Sequence, residues 1–85
     1  MRKVAFTPTA WTDFSYIIVN DKAQAKRILK LITEIQRTPF EGIGKPEALK
    51  YELTGYWSRR IDEKNRLVYA ADDDNVVIIQ CSEHY

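Results

Sequence analysis

The stretch Tyr56-Trp57-Ser58-Arg59-Arg60-Ile61-Asp62-Glu63-Lys64-Asn65-Arg66-Leu67-Val68-Tyr69 constrains the fold more than any other. β-Branched and aromatic residues flank the charged turn Asp62 to Asn65, which predicts a hairpin of two short strands. Alternation along the first strand sets Trp57, Arg59 and Ile61 on one face and Tyr56, Ser58 and Arg60 on the other. Along the second, Arg66, Val68 and Ala70 share a face, opposite Leu67, Tyr69 and Ala71. Each strand thus sets arginine among apolar neighbours. An unpaired guanidinium is costly to bury, so these arginines either reach water at the sheet edge or meet an anion.

The rest of the chain supplies a frame for that hairpin. Lys3 to Phe6 is a candidate first strand. Thr7-Pro8 predicts an N-cap followed by proline at the first helical position. Ala10, Phe14, Ile17 and Ile18 then recur at helical spacing, to an expected end near Asn20. Asp21 and Gln24 form a capping-box pattern for a second helix, whose apolar stripe is Ala25, Ile28, Leu29, Ile32 and Ile35. Lys22, Lys26 and Lys30 share another face. Thr38-Pro39 stops this helix, and the short joint folds the two into an antiparallel pair.

Periodicity vanishes from Pro39 to Lys50, a loop of the length that often carries function. Glu47 to Lys50 is expected as one helical turn, Tyr51 to Leu53 as a strand and Thr54-Gly55 as a turn. After the hairpin, Asp72 to Asn75 makes a second tight turn. Val76 to Ile79 is a fully apolar, β-branched run suited to a strand buried on both faces. The expected class is α+β: one domain over residues 1–85, an antiparallel-dominated sheet with two N-terminal helices packed on one face.

Composition excludes several classes. At 85 residues and 45% hydrophobic, the chain is globular with a small core. No apolar run reaches the length of a membrane span, and the N-terminus lacks a signal-peptide core. The single cysteine, Cys81, precludes an internal disulfide and fits a reducing cytosol or an obligate partner. One Cys and one His cannot fill a structural zinc site. The net charge of +1 conceals two basic clusters, one at Lys22, Lys26, Arg27, Lys30 and Arg37 and one at Arg59, Arg60, Lys64 and Arg66.

Glu47, Lys50, Arg66 and His84 together make a parts list for metal-free phosphodiester cleavage: a proton acceptor, a proton donor and cations for the growing phosphate charge. Singly, each has a plainer use. Glu47 can be surface charge, Arg66 can pair with Asp62 or Glu63, and a histidine near the chain end is usually solvated.

Taken in order, Thr38-Pro39-Phe40-Glu41-Gly42, Gly44-Lys45-Pro46-Glu47-Ala48-Leu49-Lys50, Gly55-Tyr56-Trp57-Ser58-Arg59-Arg60-Ile61, Arg66-Leu67-Val68-Tyr69 and His84-Tyr85 resemble the YoeB-type toxins of the RelE-like messenger RNA interferases. The match runs along nearly the whole chain. The resemblance implies a microbial ribonuclease-like, RelE/ParE-type toxin fold and a cytoplasmic endoribonuclease without cofactor that cuts mRNA on the 70S ribosome. It implies Glu47 as general base, His84 as general acid and Arg66 as stabiliser of the phosphate. Tyr85 and Lys50 would position RNA or support charge, and Arg60 or Arg59 would add RNA contacts. The products implied are a 2′,3′-cyclic phosphate and a 5′-hydroxyl. The implied partners are a YefM-like antitoxin, which carries the complex to operator DNA, and a second copy of the chain, with Trp11 and Trp57 as candidate interface aromatics. Three positions depart from the family pattern: Asn65 precedes Arg66 where histidine is expected, and Ser82-Glu83 precede His84 where a basic and an aromatic residue are expected. Non-catalytic alternatives are a module that only grips ribosome or antitoxin, and a co-repressor subunit.

Overall fold

Caps and period place the helices where the patterning predicts. The computed structural model describes residues 1–82, with strand β1 at Lys3–Phe6, helix α1 at Pro8–Asn20 and helix α2 at Lys22–Arg37. Thr7 Oγ1 accepts the Ala10 N–H at 3.2 Å, and Asp21 Oδ1 accepts the Gln24 N–H at 3.1 Å. Each satisfies one of the donors a helix start leaves free. The buried stripe of α2 is Ala25, Ile28, Leu31, Ile32 and Ile35, with Leu31 in place of the expected Leu29. Leu29 follows Ile28 directly and so points about 100° away from it, whereas Leu31 returns to within about 60°. Leu29 is accordingly exposed, and so is Ile18, which follows the buried Ile17 in the same way.

Beyond the helices, β2 is Glu47–Ala48, a 3₁₀ turn covers Tyr51–Leu53, β3 is Trp57–Arg60, β4 is Arg66–Ala71 and β5 is Asn75–Gln80. Two expectations are corrected. Glu47 and Ala48 are extended rather than helical, because they pair with Ser58 and Trp57 and satisfy the outer edge of β3. Tyr51 to Leu53 is not a strand, since Tyr51 has φ +59°, which no strand accommodates. The sheet order is β1-β5-β4-β3-β2, antiparallel except for the parallel β1–β5 pair. Both tight turns use one device: Asp62 Oδ1 accepts the Lys64 and Asn65 N–H groups, and Asp72 Oδ1 accepts those of Asp74 and Asn75.

The helix pair covers one sheet face. Phe14, Ile28, Leu31 and Ile35 meet Leu67, Tyr69, Val76 and Ile78 there. Val77 and Ile79 are only half-buried, so β5 is not enclosed on both sides as its composition suggests. A register shift between Val68 and Tyr69 lets Cys81 rejoin the core, where its thiol faces Ala10 O at 3.5 Å. Burial pushes that thiol up to about 12, so it stays protonated and unreactive.

A guanidinium sits at the heart of this covered face. Arg59 is fully buried, and its five N–H groups are all bonded. Nε donates to Tyr69 Oη at 3.1 Å. One terminal nitrogen donates to Glu34 Oε1 at 2.5 Å and Ile43 O at 3.2 Å, the other to Thr38 O at 2.6 Å and Glu41 O at 2.9 Å. Tyr69 in turn donates to Pro39 O at 2.6 Å. Arg59 thus ties the C-terminal end of α2, the loop before β2 and the sheet into one unit. Gly42 is required beside it: at φ +125°, a Cβ would stand 1.8 Å from Glu34 Oε1.

Candidate functional site

The opposite sheet face carries a different population. Directly paired residues on antiparallel strands project to the same side. Glu47 pairs with Ser58, and Ser58 with Val68, which makes one row across β2, β3 and β4. Arg60 pairs with Arg66 in the neighbouring row. Glu47, Ser58, Arg60, Arg66 and Val68 therefore share the face away from the helices. Glu47 and Arg66, distant in sequence, stand on adjacent rows of this face.

The electrostatics of this face are unbalanced. Like charges directly opposed on a sheet are unfavourable. Even so, among the described residues neither Arg60 nor Arg66 has a carboxylate partner, since the one ion pair there is Arg59–Glu34. Asp62, a plainer partner for Arg66, is turned into its own hairpin. Its oxygens take bonds from Asn65 as well as from the turn N–H groups, and these hold its carboxyl below the ordinary value. Arg66 is half-buried, and its Nη1 reaches Ser58 Oγ at 3.4 Å, a long and weak bond. Among the described residues its guanidinium has donors left for an anion.

Lys50 is exposed and precedes the 3₁₀ turn. With Glu47, Ala48, Leu49, Tyr51 and Leu53 it lines an open groove at the edge of the same region. The Arg66 N–H donates to Ser82 O at 3.0 Å, so the last described residue sits beside Arg66. The expected site residues His84 and Tyr85 lie outside the described residues.

Arg59 does not join this face. Alternation sends it into the core, and its bonds within the protein leave no donor for RNA. Ser58 is the member that sequence reasoning passed over. Its signal was present, since alternation sets it beside Arg60, but a lone serine in a strand draws no attention. Of the two candidate interface aromatics, Trp11 is 54% exposed, whereas Trp57 is half-buried with its ring centroid 4.8 Å from that of Phe40.

Two helices packed on a five-stranded mixed sheet are the RelE-like toxin fold. Residues 6–85 match the model of the YoeB-like toxins of bacterial type II toxin–antitoxin systems, and the chain belongs to that family. It is 56% identical to toxin YoeB of Mycobacterium bovis over 85 residues, covering 100% of both chains. The solved YoeB dimer of Staphylococcus aureus is 47% identical, covers 99% of this chain and 98% of its own, and superposes with a TM-score of 0.92. The heterotetrameric YoeB–YefM complex of Staphylococcus aureus is 46% identical over 100% of this chain and 99% of its own, also at 0.92. The protein is thus a toxin of a toxin–antitoxin system.

Proposed function

We propose that this toxin is a metal-independent endoribonuclease that cuts mRNA on the translating ribosome. The observation that carries the reading is the shared open face of Glu47, Arg60 and Arg66, with its two opposed guanidinium groups, neither ion-paired among the described residues. A phosphodiester supplies the anion that such a face lacks. In the proposed reaction Glu47 takes the proton from the ribose 2′-hydroxyl, and the 2′-oxygen bonds to phosphorus. The bond from phosphorus to the 5′-oxygen breaks, and His84 gives that oxygen its proton. Arg66, assisted by Arg60, holds the charge that grows on the phosphate. Tyr85 and Lys50 position the strand. The products are a 2′,3′-cyclic phosphate and a 5′-hydroxyl.

The basic face of α2, with Lys22, Lys26 and Lys30 exposed, would supply salt-sensitive contacts to ribosomal RNA. Such a target places the protein in the cytoplasm, and no helix among the described residues is long and apolar enough to cross a membrane. The solved relatives support a YefM-like antitoxin and a second copy of the chain as partners, with operator DNA reached only through the antitoxin. Trp11, Tyr16, Ile18 and Val19 of α1 offer exposed apolar surface for such contacts.

The test is cleavage of a defined message on purified ribosomes, read by primer extension. Wild type should cut, and Arg66→Ala should lose about 10²–10³-fold in rate, the usual cost of one transition-state donor. Glu47→Ala should lose a similar amount. Equal cutting by all three proteins, or none by wild type, would refute the reading.

A further inference from the structure

Tyr51 is the most exposed aromatic side chain among the described residues, at 90%. It also has φ +59°, in the left-handed region that glycine adopts freely and a bulky residue adopts at a cost. Local bonds hold it there. Tyr51 O accepts from the Thr54 N–H at 3.1 Å and from Thr54 Oγ1 at 2.7 Å, and Lys50 O accepts from the Leu53 N–H at 3.1 Å. The ring makes no contribution to the core. The fold therefore keeps a costly backbone conformation at a residue whose side chain faces water.

The surroundings suggest what the ring is for. It lines the groove that also holds Glu47 and Lys50. Proteins that grip single-stranded nucleic acid combine cations along the backbone with aromatic rings on which bases stack. Sequence-specific RNA contacts likewise favour unstacked bases laid on aromatic side chains. A phenol ring beside Lys50, one residue from a cation and four from the carboxylate, meets that description.

We propose that Tyr51 stacks on an unpaired nucleobase of the bound RNA and sets its register, so that the phosphate to be cut lies between Glu47 and Arg66. This rests on the nuclease reading above. Tyr51 would then tune which nucleotides are accepted, while Glu47 and Arg66 act on the phosphate itself.

The experiment compares wild type with Tyr51→Gly, Tyr51→Ala and Tyr51→Phe in the ribosome cleavage assay, with urea unfolding of each protein as a control. Tyr51→Gly removes the ring and relieves the backbone, so it should be at least as stable as wild type. Its kcat/KM should fall about 10- to 100-fold, the range for losing one base stack. Tyr51→Ala should fall similarly, and Tyr51→Phe should stay within about twofold. Messages carrying one abasic nucleotide then locate the contact: at one position the difference between wild type and Tyr51→Gly should vanish. If Tyr51→Gly cuts as well as wild type, or the difference survives every abasic position, the stacking role is overturned while the nuclease reading stands. If wild type cuts nothing, both fall.

Discussion

Arg59 and Arg66 are the same residue type on neighbouring strands of one hairpin, yet their positions are opposites. Arg59 points into the helix-covered face and spends every donor on the protein. Arg66 points to the open face and, among the described residues, its side chain makes one long bond to Ser58. A buried guanidinium is tolerable only when fully satisfied, so Arg59 can be structural and nothing else. A half-buried guanidinium with spare donors is affordable near water, and there it is available to a ligand. Residue type thus says little until the strand face is known.

The largest expected break in this comparison is Arg59→Ala. It leaves Tyr69 Oη, Glu34 and the Thr38, Glu41 and Ile43 carbonyls without their donor, and it opens a cavity. Loss of one partner in such a site costs about 3–5 kcal/mol, so urea unfolding should show a severely destabilised or unfolded protein. Near-normal stability would mean that water replaces the guanidinium without penalty.

A smaller effect is expected at Glu34. Burial alone would raise its pKa, but the bond from the Ile43 N–H and the Arg59 guanidinium outweigh that and hold the carboxyl below its ordinary 4.5. A depressed carboxyl stabilises the fold above the unfolded value, and this contribution is lost as pH falls through the folded value. Wild type should therefore weaken on acidification below about pH 4.5. Glu34→Gln should cost about 1–2 kcal/mol at pH 7, at the low end because the side chain is 30% exposed, and should weaken less steeply in acid. Parallel pH profiles for the two proteins would contradict the assignment.

The smallest effect on folding should come from Arg66→Ala. Removing a residue with one weak bond should shift unfolding by about 0.5 kcal/mol or less. That same variant is the one expected to lose cleavage. A large stability loss would place Arg66 with Arg59 as a structural residue and dissolve the contrast.

Much of this arrangement is legible in the sequence because its signals are local. Thr7-Pro8, Asp21 and the aspartate turns read directly from neighbouring residues, and so does the alternation that separates Ser58 and Arg60 from Arg59. What does not read is anything that depends on a distant partner. Arg59 meets Glu34 from another element, so sequence could pose burial or exposure but not choose. Glu47 and Ala48 form a strand only because β3 offers an unfilled edge. Tyr51 adopts a conformation that its side chain disfavours, and residue preference points away from it. Glu47 and Arg66 share one sheet face on neighbouring rows, and His84 and Tyr85 lie outside the described residues.

The first strand carries a final consequence. β1 lies at the sheet margin and pairs only with β5, Lys3 against Asn75 through Phe6 against Ile78. That partner lies far along the chain, beyond both helices and the hairpin. Closing so distant a pairing must await everything between the two strands, because contacts of high sequence separation form late and at an entropic cost. The sheet therefore closes late in folding, and a stretch of chain that stops short of β5 leaves β1 with no strand to pair with.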